Sequence, residues 1–215
     1  MRSNAMNYKK VDIDSWEHGH LYKLYTTDLK LTMDLTVELD VTRVVEYSRS
    51  RGMKFYPIMI WLVSKIMNSH EEYRYAYDDE GELILWDSVS PSYTDFNTEN
   101  KHFSKFVTEY SDDLDEFYAR SMADREKYKD YYGFVPNQPK NFFDITCLPW
   151  VSYKHLNINV YGDGLSLFPV VMWGKWEERG GRLVMPVTLK LHHATGDGYH
   201  LSRFFLELEE MIKSL

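Results

Sequence analysis

Apolar residues fall at every second position from Leu29 to Leu39 in LKLTMDLTVEL, and one parity does the same from Leu183 to Leu191 in LVMPVTLKLHH. A period of two sustained this long fits strands and excludes helices, whose faces repeat every 3.6 residues. In the second run Leu183, Met185, Val187, Leu189, Leu191 and His193 share one side, whereas Val184, Thr188, Lys190 and His192 share the other. Strands of this kind belong to a sheet, and the apolar face of a sheet needs cover.

The rest of the chain supplies that cover. Phe55 to Met67, FYPIMIWLVSKIM, reads as a buried helix with Pro57 in its first turn, where a missing N–H is harmless. A last helix from about Gly198 to Leu215 gathers Leu201, Phe204, Phe205, Leu208 and Ile212 on one stripe. Further helices are expected over Trp16 to Thr26, capped by Asp14 or Ser15, and from Asp40 or Thr42 to a stop at Gly52. The charged stretch Phe103 to Tyr132 has helical spacing as well. Strands are expected as a hairpin in YRYAYDDEGELILW, turning at Asp78 to Gly81, and in SVSPSYTDF. Others are expected around 142–146, 155–161, 167–176 and 183–193, with Gly180 and Gly181 in a turn. The fold class is therefore α/β, a two-layer mixed β-sheet covered by helices. Residues 1–5 are expected to be a cloning remnant, and 6–215 a single domain.

Composition narrows the function. A net charge of −8 without a basic block removes the footprint that nucleic acid requires. The 17 Tyr, 11 Phe and 6 Trp imply a large buried core and argue against disorder. One cysteine, Cys147, allows no internal disulfide and leaves the fold independent of an oxidising compartment. The longest apolar run is interrupted by Pro57, Ser64 and Lys65 and falls short of the roughly 20 residues that cross a bilayer. A cytoplasmic protein is expected.

The chemistry concentrates in LKLHHATGDGYHLSRFF, Leu189 to Phe205. Adjacent strand histidines point to opposite faces, so His192 and His193 do not converge on one ion, and no metal site is expected. On the residues alone, His193 reads either as a hydrogen-bonded core histidine or as a base acting at neutral pH, and Asp197 as a helix N-cap ahead of Gly198. The spacing of His192, His193, Asp197 and Gly198 reproduces HHxxxDG, the signature of the CoA-dependent acyltransferases. With Tyr199 and His200 it resembles the chloramphenicol acetyltransferase form. KFYPIMIWL, ELILWDSVSPSYT, LPWVSY, NINV and MNYKKVDIDSW resemble that family too, in the same order and with similar spacing.

The resemblance implies the chloramphenicol acetyltransferase fold, acetyl-CoA as co-substrate without a permanently bound cofactor, and chloramphenicol as acceptor. It implies a homotrimer whose sheet extends across subunits and whose sites lie between them. His193 would be the general base and Thr146 the oxyanion donor, in place of the family's serine. Asp197 would support the site through an ion pair with a first-helix arginine, whose position His18 occupies here. Lys54, Tyr56, Trp150, Lys175 and Trp176 would bind CoA. Leu24, Tyr25, Leu29, Met33, Ser92, Phe103, Phe134 and Ile158 would line the acceptor pocket. Gly196 stands where the family usually has cysteine, Leu24 replaces an aromatic residue, and Lys105, Ser166 and Met172 replace a small residue, a tyrosine and a threonine. These departures keep two other readings open: a transferase for a different hydroxylated acceptor, and a weakly catalytic CoA- or ligand-binding homologue. A hydrolase built on Cys147 has no support.

Overall fold

The second alternating run becomes the hub of the molecule. In a computed structural model, which describes residues 7–159 and 166–215, β11 (Arg182–His192) pairs antiparallel with β2 (Thr32–Asp40) along one edge. Its other edge takes β9 (Val170–Gly174) and the short β10 (Glu177–Arg179). From β9 the sheet continues through β8 (Phe142–Leu148) and β5 (Ser90–Asn97), both parallel steps, to antiparallel β6 (His102–Val107) and parallel β7 (Gly133–Phe134). This is an eight-stranded mixed sheet. Strands β1 (Tyr8–Lys10), β4 (Leu83–Trp86) and β3 (Tyr75–Tyr77) form a separate small antiparallel sheet. It contains the expected hairpin.

Helices α2 (Thr42–Arg51), α3 (Phe55–Ser69), α4 (Leu114–Tyr128) and α5 (Gly198–Ser214) contribute to the cover of the large sheet. Beneath them Tyr93, Phe143, Ile145, Val171, Trp173, Val187, Leu189 and Leu191 are at most 1% exposed. They meet the α5 stripe predicted from spacing, Leu201, Phe204, Phe205, Leu208 and Ile212. Each such side chain contributes roughly 1.5–3 kcal/mol by leaving water. Gly52 ends α2 in the left-handed region at φ 63°, and the paired positive φ values of Gly180 and Gly181 turn β10 into β11. The far face of β2, β11 and β9 is roofed by irregular chain from Val151 to Asn159, so β11 is buried on both faces from Met185 to His192.

Five expectations need correction. The first helix is only α1 (Gly19–Lys23), and it passes at Leu24 into a π turn, Leu24–Asp28. Asp14 and Ser15 do not cap it, because both are tied to Asp12: the Asp14 amide donates to Asp12 Oδ1 at 3.1 Å and Ser15 Oγ to Asp12 Oδ2 at 2.9 Å. Lys30 takes a positive φ of 46° after the π turn, which delays β2 to Thr32. Phe103 to Tyr132 is not one helix: its start pairs as β6, and α4 begins after Asp113, whose Oδ1 accepts from the Glu116 amide at 2.8 Å. The expected strand 155–161 is irregular through Asn159, and its last two residues lie outside the described residues. The 167–176 strand shortens to β9, since Pro169 offers no N–H to a ladder and the Lys175 amide pairs instead with the Val151 carbonyl at 2.8 Å. No helix among the described residues is long and apolar enough to cross a membrane.

Candidate active site

His193 follows β11 and remains tied to the sheet, its amide donating to the Leu31 carbonyl at 2.9 Å. The chain then turns sharply. The Thr195 amide and hydroxyl both donate to the His192 carbonyl at 3.1 Å, and the Gly196 carbonyl returns to within 2.9 Å of His193 Nδ1. A carbonyl only accepts, so Nδ1 carries the proton and Nε2 holds a free lone pair. The Tyr25 ring, delivered by the π turn, stacks on the imidazole at 4.0 Å with the planes 8° apart.

The neighbouring histidine has the opposite protonation. His192 Nδ1 accepts from the Ala194 amide at 3.1 Å, which places its proton on Nε2, a buried atom without a hydrogen-bond partner. Burial, followed by the influence of His193, pushes its pKa down to about 4. His192 is thus a neutral side chain whose lone pair is already committed.

Asp197 does not approach His193 Nδ1, whose partner is the Gly196 carbonyl, so a triad through that nitrogen is excluded. The aspartate caps α5, accepting from the Tyr199 amide at 2.8 Å and the His200 amide at 3.3 Å. His200 Nδ1 lies 2.8 Å from Asp197 Oδ1 and 3.1 Å from the Asp197 amide, closing a capping box. Burial opposes ionisation of Asp197, but the bonds from His200 and the backbone outweigh it and hold the carboxyl below its usual range. His18 makes no hydrogen bond to Asp197. Its Nε2 is buried without a partner, and burial first, then His200, lowers its pKa. The expected pairing at position 18 is therefore replaced by His200, a residue the sequence reading left without this role; its spacing three residues after an N-cap was the available signal. Gly196 makes room for the fold-back: a Cβ there would lie 2.5 Å from Leu191 Cδ2 and 3.3 Å from His200 Cβ.

A cavity of about 750 Å³ opens at the carboxyl ends of β5, β8 and β9. Ligands of open α/β sheets gather at such strand ends. Among the predicted site residues, Thr146, Tyr56, Phe103, Trp150, Lys175 and Trp176 line it. Phe55, Phe96, Cys147, Leu148 and Trp173, which sequence reasoning did not select, line it too. The Thr146 hydroxyl makes no hydrogen bond among the described residues, whereas the Tyr56 hydroxyl is spent on the Thr94 carbonyl at 3.0 Å. Burial pushes the Cys147 thiol up to about 12.

His193, Lys54, Leu24, Leu29, Met33, Ser92, Phe134 and Ile158 do not line this cavity. Leu24, Leu29, Phe134 and Ile158 are exposed, Ser92 is buried in β5, and Met33 packs against the helix-side core. Lys54 flanks α3, its amide donating to the Tyr118 hydroxyl at 3.1 Å.

A family model described as chloramphenicol acetyltransferase matches residues 6–209. The chain belongs to the chloramphenicol acetyltransferase family. It is 35% identical over 208 residues to a chloramphenicol acetyltransferase of Clostridium butyricum, covering 96% of this chain and 95% of that one. It is also 35% identical over 211 residues to chloramphenicol acetyltransferase 3 of Escherichia coli, covering 97% and 99%. A solved chloramphenicol acetyltransferase shares the fold at a TM-score of 0.83 and 21% identity, covering 96% of this chain and all of that one. A dihydrolipoamide acetyltransferase from Azotobacter vinelandii shares it at 0.64 and 14% identity, with 90% and 84% covered. As a member of this family the chain is an acyltransferase, and its mixed sheet under helices is the family's fold.

Proposed function

We propose that this protein transfers the acetyl group of acetyl-CoA to a hydroxyl of chloramphenicol, with His193 as general base. The observation that carries the reading is the Nδ1 contact with the Gly196 carbonyl, which leaves Nε2 as the lone-pair nitrogen. Nε2 takes the proton of the acceptor hydroxyl as its oxygen bonds to the thioester carbon. A hydroxyl is too weak an acid to ionise first at neutral pH, and a positioned base contributes about 10²–10⁴-fold. The carbonyl oxygen becomes an oxyanion, for which Thr146 offers its uncommitted hydroxyl. Collapse breaks the carbon–sulfur bond, and the departing CoA sulfur receives the proton from His193.

In this reading acetyl-CoA occupies the cavity against Tyr56, Trp150, Lys175 and Trp176, with Lys54 near its mouth. Leu24, Tyr25, Leu29, Met33, Ser92, Phe103, Phe134 and Ile158 serve the acceptor. His193 does not line the cavity that Thr146 lines, which supports a site completed by a second copy in a homotrimer. The sheet ends suit that arrangement, with Leu31 and Leu35 exposed at the β2 end and Tyr132 and Phe134 at the β7 end. Asp197 supports the turn and takes no proton.

The test is release of CoA thiol from acetyl-CoA by the purified protein, with and without chloramphenicol. Chloramphenicol-dependent release is expected, and its absence from a folded, CoA-binding protein would sink the acceptor assignment. A second reading, transfer to a different hydroxylated acceptor, is favoured by the Lys105–Asp144 ion pair, which stands beside Ser92, Phe103 and Phe134 in the strand register. A panel of alcohols in the same assay separates the two.

A further inference from the structure

We propose that Lys105, paired with Asp144 on the far face of the sheet, is a specificity-determining residue that donates to an oxygen-bearing substituent on an aryl acceptor. The inference rests on the acetyl-transfer reading for the place of the acceptor. Strand register fixes where the pair stands. Lys105 lies opposite Thr94 on one side and Phe134 on the other, two residues along β6 from Phe103. Asp144 lies opposite Ser92 and two residues before Thr146, so it shares the Thr146 face. The charge pair is thus ringed by Ser92, Phe103 and Phe134, and is one same-face step from Thr146.

Burial makes the pair costly as mere structure. The two side chains are 13% and 17% exposed, and two apolar residues of similar volume would fill such a site with equal or better stability. The other buried lysine on this face shows what a purely structural role looks like: Lys190 donates to Asn157 Oδ1 at 3.0 Å, the Ile158 carbonyl at 2.8 Å and Asn159 Oδ1 at 2.5 Å. All three of its N–H groups are used. Lys105 makes an ion contact with Asp144 and stands 5.6 Å from the centre of the Phe134 ring, with no hydrogen bond to another group among the described residues. It therefore retains donors beside two aromatic rings against which an aryl group can pack. Asp144 anchors the ammonium in place. A nitro or carboxylate group on the ring supplies the missing acceptor; a hydrogen atom in its place does not.

The experiment compares chloramphenicol with two analogues, one bearing hydrogen and one carboxylate in place of nitro. The proteins are the wild type, Lys105→Arg, and the double variant Lys105→Met with Asp144→Leu. The double variant avoids leaving one buried charge alone, and thermal melting verifies its fold. Both kcat/KM and acceptor Kd, the latter by calorimetry, are measured. Wild type is expected to favour the oxygen-bearing rings over the hydrogen analogue by about tenfold, the size of one hydrogen bond to a charged group. Lys105→Arg should keep that preference, and the double variant should reduce it to less than threefold. An undiminished preference in the folded double variant overturns the inference, while brisk turnover there leaves acetyl transfer standing. A preference that collapses in Kd without any thiol release upholds the role of Lys105 and overturns the transfer reading instead.

Discussion

Under the helices, Val171, Trp173, Leu189 and Leu191 lie among apolar side chains; one residue along the same strands, Met172, Thr188, Lys190 and His192 face the other way. On that far side most polar groups have a particular partner, the His192 Nε2 and the Thr146 hydroxyl excepted. Thr36 Oγ1 and Thr188 Oγ1 are 2.7 Å apart, Thr188 Oγ1 reaches the Tyr153 hydroxyl at 3.2 Å, and His155 Nε2 meets Asp34 at 2.9 Å. The helix side is held by many interchangeable contacts, the far side by directional one-to-one bonds. Alternation along a strand thus separates apolar packing from directional polar bonding, within a single pleat.

The strongest way to sharpen this contrast is His193→Gln. A loss of about 10²–10⁴-fold in kcat is expected with an unchanged melting temperature, because the ring sits in a turn outside the core; appreciable residual turnover would remove the base assignment. Leu189→Ala should do the reverse, costing about 2–5 kcal/mol in denaturant unfolding while the folded fraction retains its kcat.

Acid provides a third test. His192 is buried neutral with a pKa near 4, against 6.5 for the unfolded chain. The unfolded state therefore takes up this proton first, so stability is present in full above about 6.5 and is lost as pH falls through about 4. The total is on the order of 3 kcal/mol. Unfolding curves across that window should show the slope, and His192→Asn should flatten it. Thr146→Val keeps the shape of the side chain and deletes its hydroxyl, with an expected loss on the order of 10²-fold in kcat and little change in KM. Equal rates would assign the oxyanion to another donor. Smallest is His200→Ala, which opens the capping box at about 1 kcal/mol. A several-fold fall in kcat alongside it would show that the α5 cap steadies the His193 turn.

The elements legible in the sequence were those written in period: β11, α3, the stripe of α5 and the Gly180–Gly181 turn follow from spacing and turn chemistry. β6 was hidden because Phe103 and Phe106 put aromatic rings on both faces of a short strand, erasing the alternation. The π turn was hidden because its hydrogen-bond offset leaves no mark on composition. In the site, HHxxxDG located the His193 turn, yet the tautomer came only from the Gly196 carbonyl, a backbone group with no signature in side chains. The exchange of His18 for His200 as partner of Asp197 depends on a fold-back that Gly196 permits, a distance no linear pattern encodes.

Cys147 carries a practical consequence. It is the only thiol in the protein, and burial pushes its pKa up to about 12. A disulfide reagent reacts with thiolates, so in a neutral assay the enzyme contributes almost no background colour. Even at high protein concentration, the signal counts liberated coenzyme alone.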